Sequence, residues 1–138
     1  MSFVFFTDRD LGKQFPAILQ QAGLDVERHD DHFAENTRDE EWLEVIGQQG
    51  WIAITHDSRI RYKPNELAAV VANRVALLVI VGHAPFPELA HSFVGTRIRI
   101  ERFLSKHMAP FIAKVYRAAP SEISRNPNAP GRVEMWYS

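Results

Sequence analysis

The sequence predicts an α/β fold built on a mainly parallel sheet, on two observations. Strand-sized apolar runs alternate with amphipathic helical stretches along the chain, the pattern of βαβ units. The runs Phe3-Val4-Phe5-Phe6-Thr7, Trp51-Ile52-Ala53-Ile54-Thr55 and Val75 to Val81 are apolar throughout rather than at every second position. Strands covered on both faces, as in parallel sheets, read this way.

The elements follow in order. Residues 3–7 form the first strand. A helix from Leu11 to Ala22 carries Leu11, Phe15, Ile18, Leu19 and Ala22 at helical spacing; Pro16 sits near its first turns, and Gly23 stops it. Residues 24–29 supply a second, more polar strand nearer an edge. A polar connection through His29, His32 and Phe33 leads to Thr37-Arg38-Asp39-Glu40, a capping-box pattern that opens a helix bearing Trp42, Leu43, Val45 and Ile46. Gly47 or Gly50 ends that helix, and residues 51–55 make the third strand. After a loop at Tyr62–Asn65 comes a short helix, Glu66 to Asn73, and then the most apolar run, Val75 to Val81, a central strand. Gly82 to Pro87 is a breaker-rich loop. A long helical stretch is expected from Pro87 to Ala118, broken near Gly95 and again at Pro110. Pro120 to Gly131 reads as a flexible linker, and Val133 to Tyr137 as an edge strand or a tail that packs on a partner. The organisation is therefore one domain over 1–119 with a C-terminal extension over 120–138.

At 138 residues with a 46% hydrophobic fraction, the chain suits one domain with a sizeable core. No run approaches the length of a membrane span, and the N-terminus lacks the basic-then-apolar order of a secretory signal. Zero cysteines exclude disulfides and thiolate metal sites and fit a cytoplasmic setting; a histidine-only zinc site stays open. The net charge of −1 conceals an asymmetry. Residues 1–50 hold eleven acids and four bases, and residues 51–138 hold six acids and twelve bases. An acidic pocket beside a basic surface for a polyanion would give that split, as would ordinary solvated charge.

Four carboxylates stand out: Asp8 after the first strand, Asp39 and Glu40 opening a helix, and Asp57 after the third strand. The carboxyl ends of parallel strands share one crevice, where such sheets bind ligands. Carboxylates gathered there repel one another without a cation, and oxygen ligands suit Mg²⁺ or Mn²⁺. Asp10 directly precedes the Leu11 helix and fits an N-cap better than Asp8 does. Asp39, Glu40 and Glu41 also gain from the helix dipole with no function at all, so Asp39 and Glu40 are not separable as ligands. Arg9, Arg59 and Arg61 are candidate substrate-binding residues, with Lys63 beside them. From Arg97 to Arg117 there are six bases and one acid, a phosphate-neutralising surface or the basic face of an ordinary amphipathic helix. His56 beside Asp57 has a structural or a substrate-facing reading. No Gly-rich phosphate loop is present.

Three blocks carry a resemblance. Phe5-Phe6-Thr7-Asp8-Arg9-Asp10-Leu11-Gly12, Asp39-Glu40-Glu41-Trp42-Leu43, and Gly50-Trp51-Ile52-Ala53-Ile54-Thr55-His56-Asp57-Ser58-Arg59-Ile60-Arg61 together resemble the PIN-like domains, the superfamily of VapC-type toxins and related ribonucleases. The likeness covers roughly residues 3–80. It implies a Rossmann-like, three-layer α/β/α sandwich and Mg²⁺- or Mn²⁺-dependent cleavage of RNA phosphodiesters. A role as the toxin of a toxin–antitoxin pair and homodimerisation also come with it. By position, Asp8 is the acid of the first strand, Asp39 or Glu40 the helix acid, and Asp57 the acid after the third strand. Many members have a further acid two residues beyond the last; this chain has Arg59 there, and Asp10 or Glu66 is the candidate replacement. Two other classes share features with the sequence. One is a PIN-like scaffold that binds RNA or a protein without cleavage. The other is a receiver domain, which the Gly82-His83-Ala84 sequence after the Val75–Val81 strand disfavours, since a Ser or Thr is expected there.

Overall fold

The computed structural model describes residues 3–138. Its centre is a six-stranded sheet of β1 (Val4–Thr7), β2 (Asp25–Arg28), β3 (Ile52–Thr55), β4 (Ala76–Ile80), β5 (Phe111–Tyr116) and β6 (Arg132–Tyr137), in the spatial order β2-β1-β3-β4-β5-β6. All neighbours are parallel except β6, which runs antiparallel on β5. The helices are α1 (Gln14–Gln21), α2 (His29–His32), α3 (Asp39–Gln49), α4 (Pro64–Ala72), α5 (Phe86–Gly95), α6 (Arg97–Lys106) and α7 (Pro120–Arg125). This is the α/β/α sandwich of a mainly parallel sheet.

Side chains alternate across each strand, so neighbouring apolar residues serve opposite layers. Phe5, Ile54, Leu78 and Ala113 join a core under α1, α5 and α6, with Phe15, Leu19, Phe93 and Ile100. Phe6, Ala53, Leu77, Val79 and Ile112 join the other core under α3 and α4, with Trp42, Ile46 and Val70. Each of the Val, Leu, Ile and Phe side chains contributes about 1.5–3 kcal/mol on full burial. That two-sided demand explains why the strands read as unbroken apolar runs. Every residue of β4 is buried, as its place between β3 and β5 requires.

After β1 the chain moves to one side to make β2, then returns to the other side of β1 to make β3. The strand order reverses there, which opens a crevice beyond the carboxyl ends of β1 and β3. Gly12, at φ 71°, breaks the first helical stretch into a 3₁₀ turn (Arg9–Leu11) and α1, where the sequence suggested one helix from Leu11.

Three further expectations are corrected. The helical stretch to Ala118 ends at Lys106, and Phe111–Tyr116 is a strand. Pro110 denies a helix its hydrogen bond, and Phe-Ile-Ala-Lys-Val-Tyr is rich in β-branched and aromatic residues that fit a pleated surface. Thr37 makes no capping box: Arg38 occupies the N-cap of α3 without a side-chain bond. The stretch Pro120–Gly131 holds α7 and then a turn that is exposed for the most part but anchored at the buried Ala129 and Gly131, rather than a flexible linker. In that turn the Gly131 N–H donates to Thr96 Oγ1 at 2.9 Å, and Arg99 Nη1 donates to the Gly131 carbonyl at 2.6 Å. A Cβ on Gly131 would overlap the Tyr116 carbonyl oxygen. Among the described residues no helix is long and apolar enough to cross a membrane.

Candidate active site

Asp8 is the first residue beyond β1. Its N–H donates to the Ile54 carbonyl at 2.9 Å, tying the end of β1 to β3. One carboxylate oxygen accepts from Arg9 N at 2.7 Å and caps the 3₁₀ turn. The other accepts from Thr55 Oγ1 at 2.9 Å. The turn then carries Asp10 back toward the crevice, where it accepts from His56 N at 3.1 Å and lies 3.2 Å from Thr55 Oγ1. The capping role expected of Asp10 thus belongs to Asp8, and Asp10 is a pocket residue.

Thr55, the last residue of β3, is fully buried. Its hydroxyl serves Asp8 and Asp10 and accepts from Asp57 N at 3.2 Å. Thr55 is absent from the sequence-based candidates. The available signal is a hydroxyl closing an otherwise apolar, buried strand, where it must find polar partners.

Asp39 opens α3 and accepts from Trp42 Nε1 at 2.9 Å; Trp42 has no exposed surface, so it fixes the carboxylate. Asp57 follows β3 and caps the next 3₁₀ turn (Ser58–Tyr62) by accepting from Arg59 N at 2.9 Å. A cavity of about 310 Å³ is lined by Asp8, Arg9, Asp10, Asp39 and Asp57. Glu40 lies outside that lining and faces Arg38 at 3.9 Å. Glu66, on α4, is near enough to feel the charge of Asp39. A hollow of about 390 Å³ beside β2 contains none of these acids.

The bases are distributed differently. Arg9 turns outward to Glu35 at 3.1 Å and Asp30 at 3.7 Å. Arg59 and Lys63 each hold Asp57 at 3.1 Å, and Lys63 also faces Glu66 at 3.5 Å. Arg61 packs among aromatic rings outside the cavity. Arg97 donates to the Ala22 carbonyl and Arg99 to that of Gly131, which commits both to structure. His56 is likewise engaged, its Nε2 at 2.7 Å from the Gly82 carbonyl.

Crowding of negative charge shows in the acid–base properties. Asp8 is pushed up to about 7, first by burial and then by the neighbouring charges of Asp10 and Asp39, against the hydrogen bonds from Thr55 and Arg9. Asp10 is also raised, chiefly by loss of surrounding water, although it remains exposed at the rim and bonds from His56 and Thr55 oppose the shift. Glu66 is pushed up to about 7 by burial and by Asp39, and its Oε2 is buried without a hydrogen bond. Asp57 is the exception: burial acts to raise it, but the bonds from Arg59 and Lys63 prevail and it is lowered.

This donor set suits a hard divalent cation in kind and in charge: oxygen only, anionic, and undercompensated at Asp8, Asp10 and Asp39. Among the described residues no three acidic or histidine side chains are already arranged to hold a metal ion, because Asp57 is bound to two bases and Asp10 to the β3 end. Cation binding would therefore draw carboxylates from those partners.

An open, mainly parallel α/β domain with acids at its switch point defines the class. A family model for the PIN-like domain matches residues 3–82, more than half of the chain, and the chain belongs to that family. No curated protein and no solved structure matches it. The matched span contains every acid described here, from Asp8 to Glu66, and ends just after β4.

Proposed function

We propose that the chain is a divalent-metal-dependent endoribonuclease that hydrolyses RNA phosphodiesters. The observation that carries this reading is the meeting of Asp8, Asp10, Asp39 and Asp57 in one crevice, with Asp8 held near 7 by burial and by its acidic neighbours. Asp8 and Asp39 would hold Mg²⁺ or Mn²⁺, joined by Asp57 or Asp10. Such a cation supplies Lewis acidity, lowering the pKa of a water and countering charge on the phosphate. The chain's own groups supply orientation: Thr55 Oγ1 aims Asp8, and Trp42 Nε1 aims Asp39. Arg59 and Lys63 are held against Asp57 at the edge of the crevice, and an entering phosphate would compete with Asp57 for them. That exchange would free the Asp57 carboxylate as the RNA binds.

Cleavage of a labelled RNA by wild type and Asp8→Asn, each with Mn²⁺ and with EDTA, tests this. Cleavage should require both the ion and Asp8; cleavage by Asp8→Asn at the wild-type rate would sink the assignment. We further read the protein as a cytoplasmic toxin with an antitoxin partner, acting as a homodimer. Growth arrest on induction that Asp8→Asn relieves is the expected sign of the toxin role.

The second reading is a PIN-like scaffold that binds RNA or a protein without cutting. The pairing of Asp57 with both Arg59 and Lys63 favours it. Calorimetry separates the two, since the scaffold should bind Mn²⁺ weakly or not at all.

A further inference from the structure

Immediately after Asp57, the 3₁₀ turn ends in Arg61 and Tyr62, which meet the C-terminal strand β6. The Arg61 guanidinium lies 5.3 Å from the Trp136 ring, 5.7 Å from Tyr62 and 5.8 Å from Tyr137. Lys114 of β5 places its Nζ 4.0 Å from the Trp136 ring. Tyr62 and Trp136 meet edge to face at 5.8 Å, and Tyr62 is 70% exposed, its ring largely bare to solvent. Among the described residues neither Arg61 nor Lys114 pairs with a carboxylate. Aromatic faces hold both cations without neutralising them.

A bare aromatic ring, two cations outside any ion pair (Glu134, opposite Lys114 across the ladder, is held by Arg132) and continuity with the crevice through Arg59 and Lys63 make one surface. We propose that Tyr62, Trp136, Arg61 and Lys114 form a stacking platform for an unpaired stretch of RNA beside the crevice. This rests on the ribonuclease reading for its substrate class and adds a binding site built partly outside the family-matched residues. The ring of Tyr62 takes the face of a base, and Arg61 and Lys114 take the flanking phosphates. Duplex RNA fits poorly, because paired bases present no free face. Cations outside ion pairs set around an open ring match the alternating phosphates and bases of a single strand.

The test is fluorescence anisotropy with a labelled oligouridylate, in EDTA so that nothing is cut, at fixed salt. Tyr62→Ala and Trp136→Ala should each weaken binding about tenfold. Tyr62→Phe should restore it, and binding of the same strand annealed to oligoadenylate should change little. Wild-type affinity in a folded Tyr62→Ala protein, or an equal loss with the duplex, overturns the platform. If Trp136→Ala does not fold, the exposed Tyr62 position decides. No oligouridylate binding by wild type also overturns it and leaves the patch to a protein contact. Ring-dependent binding by a protein that cleaves nothing with Mn²⁺ would refute the nuclease and leave the platform standing. Normal cleavage with unchanged binding in Tyr62→Ala would refute the platform alone.

Discussion

Asp8 carries a folded-state value of about 7 against an ordinary 3.8. A carboxyl raised in this way binds its proton more tightly folded than unfolded. Stability without metal therefore falls as pH climbs from about 4 to about 7 and stays low above that. Asp8→Asn removes the cost: in EDTA at pH 8 it should be more stable than wild type by about 1–2 kcal/mol, with a smaller gain near pH 4. Thermal melts at both pH values check this, and Mn²⁺ should raise the wild-type Tm while leaving the variant's unchanged. At Arg59 the expectation is opposite in kind. Arg59→Ala removes one of two bases holding Asp57, so the Asp57 carboxyl should titrate higher and Mn²⁺ should bind about threefold to tenfold tighter by calorimetry. An unchanged or weaker Mn²⁺ affinity would show that Asp57 takes no part in the site. At this scale Asp8, Asp39 and Asp57 were legible from their places at strand and helix ends. Asp10 was legible only as a replacement for the acid missing at Arg59, because its place depends on which way a 3₁₀ turn folds back, and Thr55 was not legible, because its role rests on a hydroxyl shared across two strands.

Among the elements, β1, β3 and β4 were readable because each is an apolar run between breakers, and α3 because its buried stripe is regular. The strand β5 was hidden: it follows α6 after only a few residues, and Lys114 interrupts its apolar run. The turn after α7 was hidden for a different reason. Its Ser-, Asn- and Pro-rich composition reads as mobile, yet Thr96 and Arg99 bind its backbone and Ala129 is buried. Gly131→Ala should therefore lower stability by about 2 kcal/mol or more, since a methyl group there meets the Tyr116 carbonyl. Chemical denaturation would measure it, and a loss below about 0.5 kcal/mol would mean that the turn relaxes readily.

For the whole molecule, the family-matched span and the folding unit differ in extent. Residues 3–82 end with β4, whose Leu77, Leu78 and Val79 are fully buried. Ending the chain at residue 82 would bare the flank of β4 that β5 covers and the face of β4 that α5 and α6 cover. A fragment of residues 1–82 should thus be insoluble or unfolded, despite holding all of the acids. A soluble fragment with a cooperative melt would contradict this. The opposed charges of the two halves also take shape at this scale: the acids converge on the β1–β3 crevice, and bases of the second half line α6 and the sheet's far end.

The brace between Tyr62 and Trp136 has a consequence in time. A ribosome lays down Asp8 through Glu66 well before Trp136, a delay of about 4 to 14 seconds at ordinary rates of synthesis. For that interval a nascent chain carries every carboxylate of the crevice while the turn beside Asp57 hangs without its aromatic support. The turn that follows Asp57 is therefore braced by one of the last segments described, and a growing chain passes through a stage that holds the acids but not that brace.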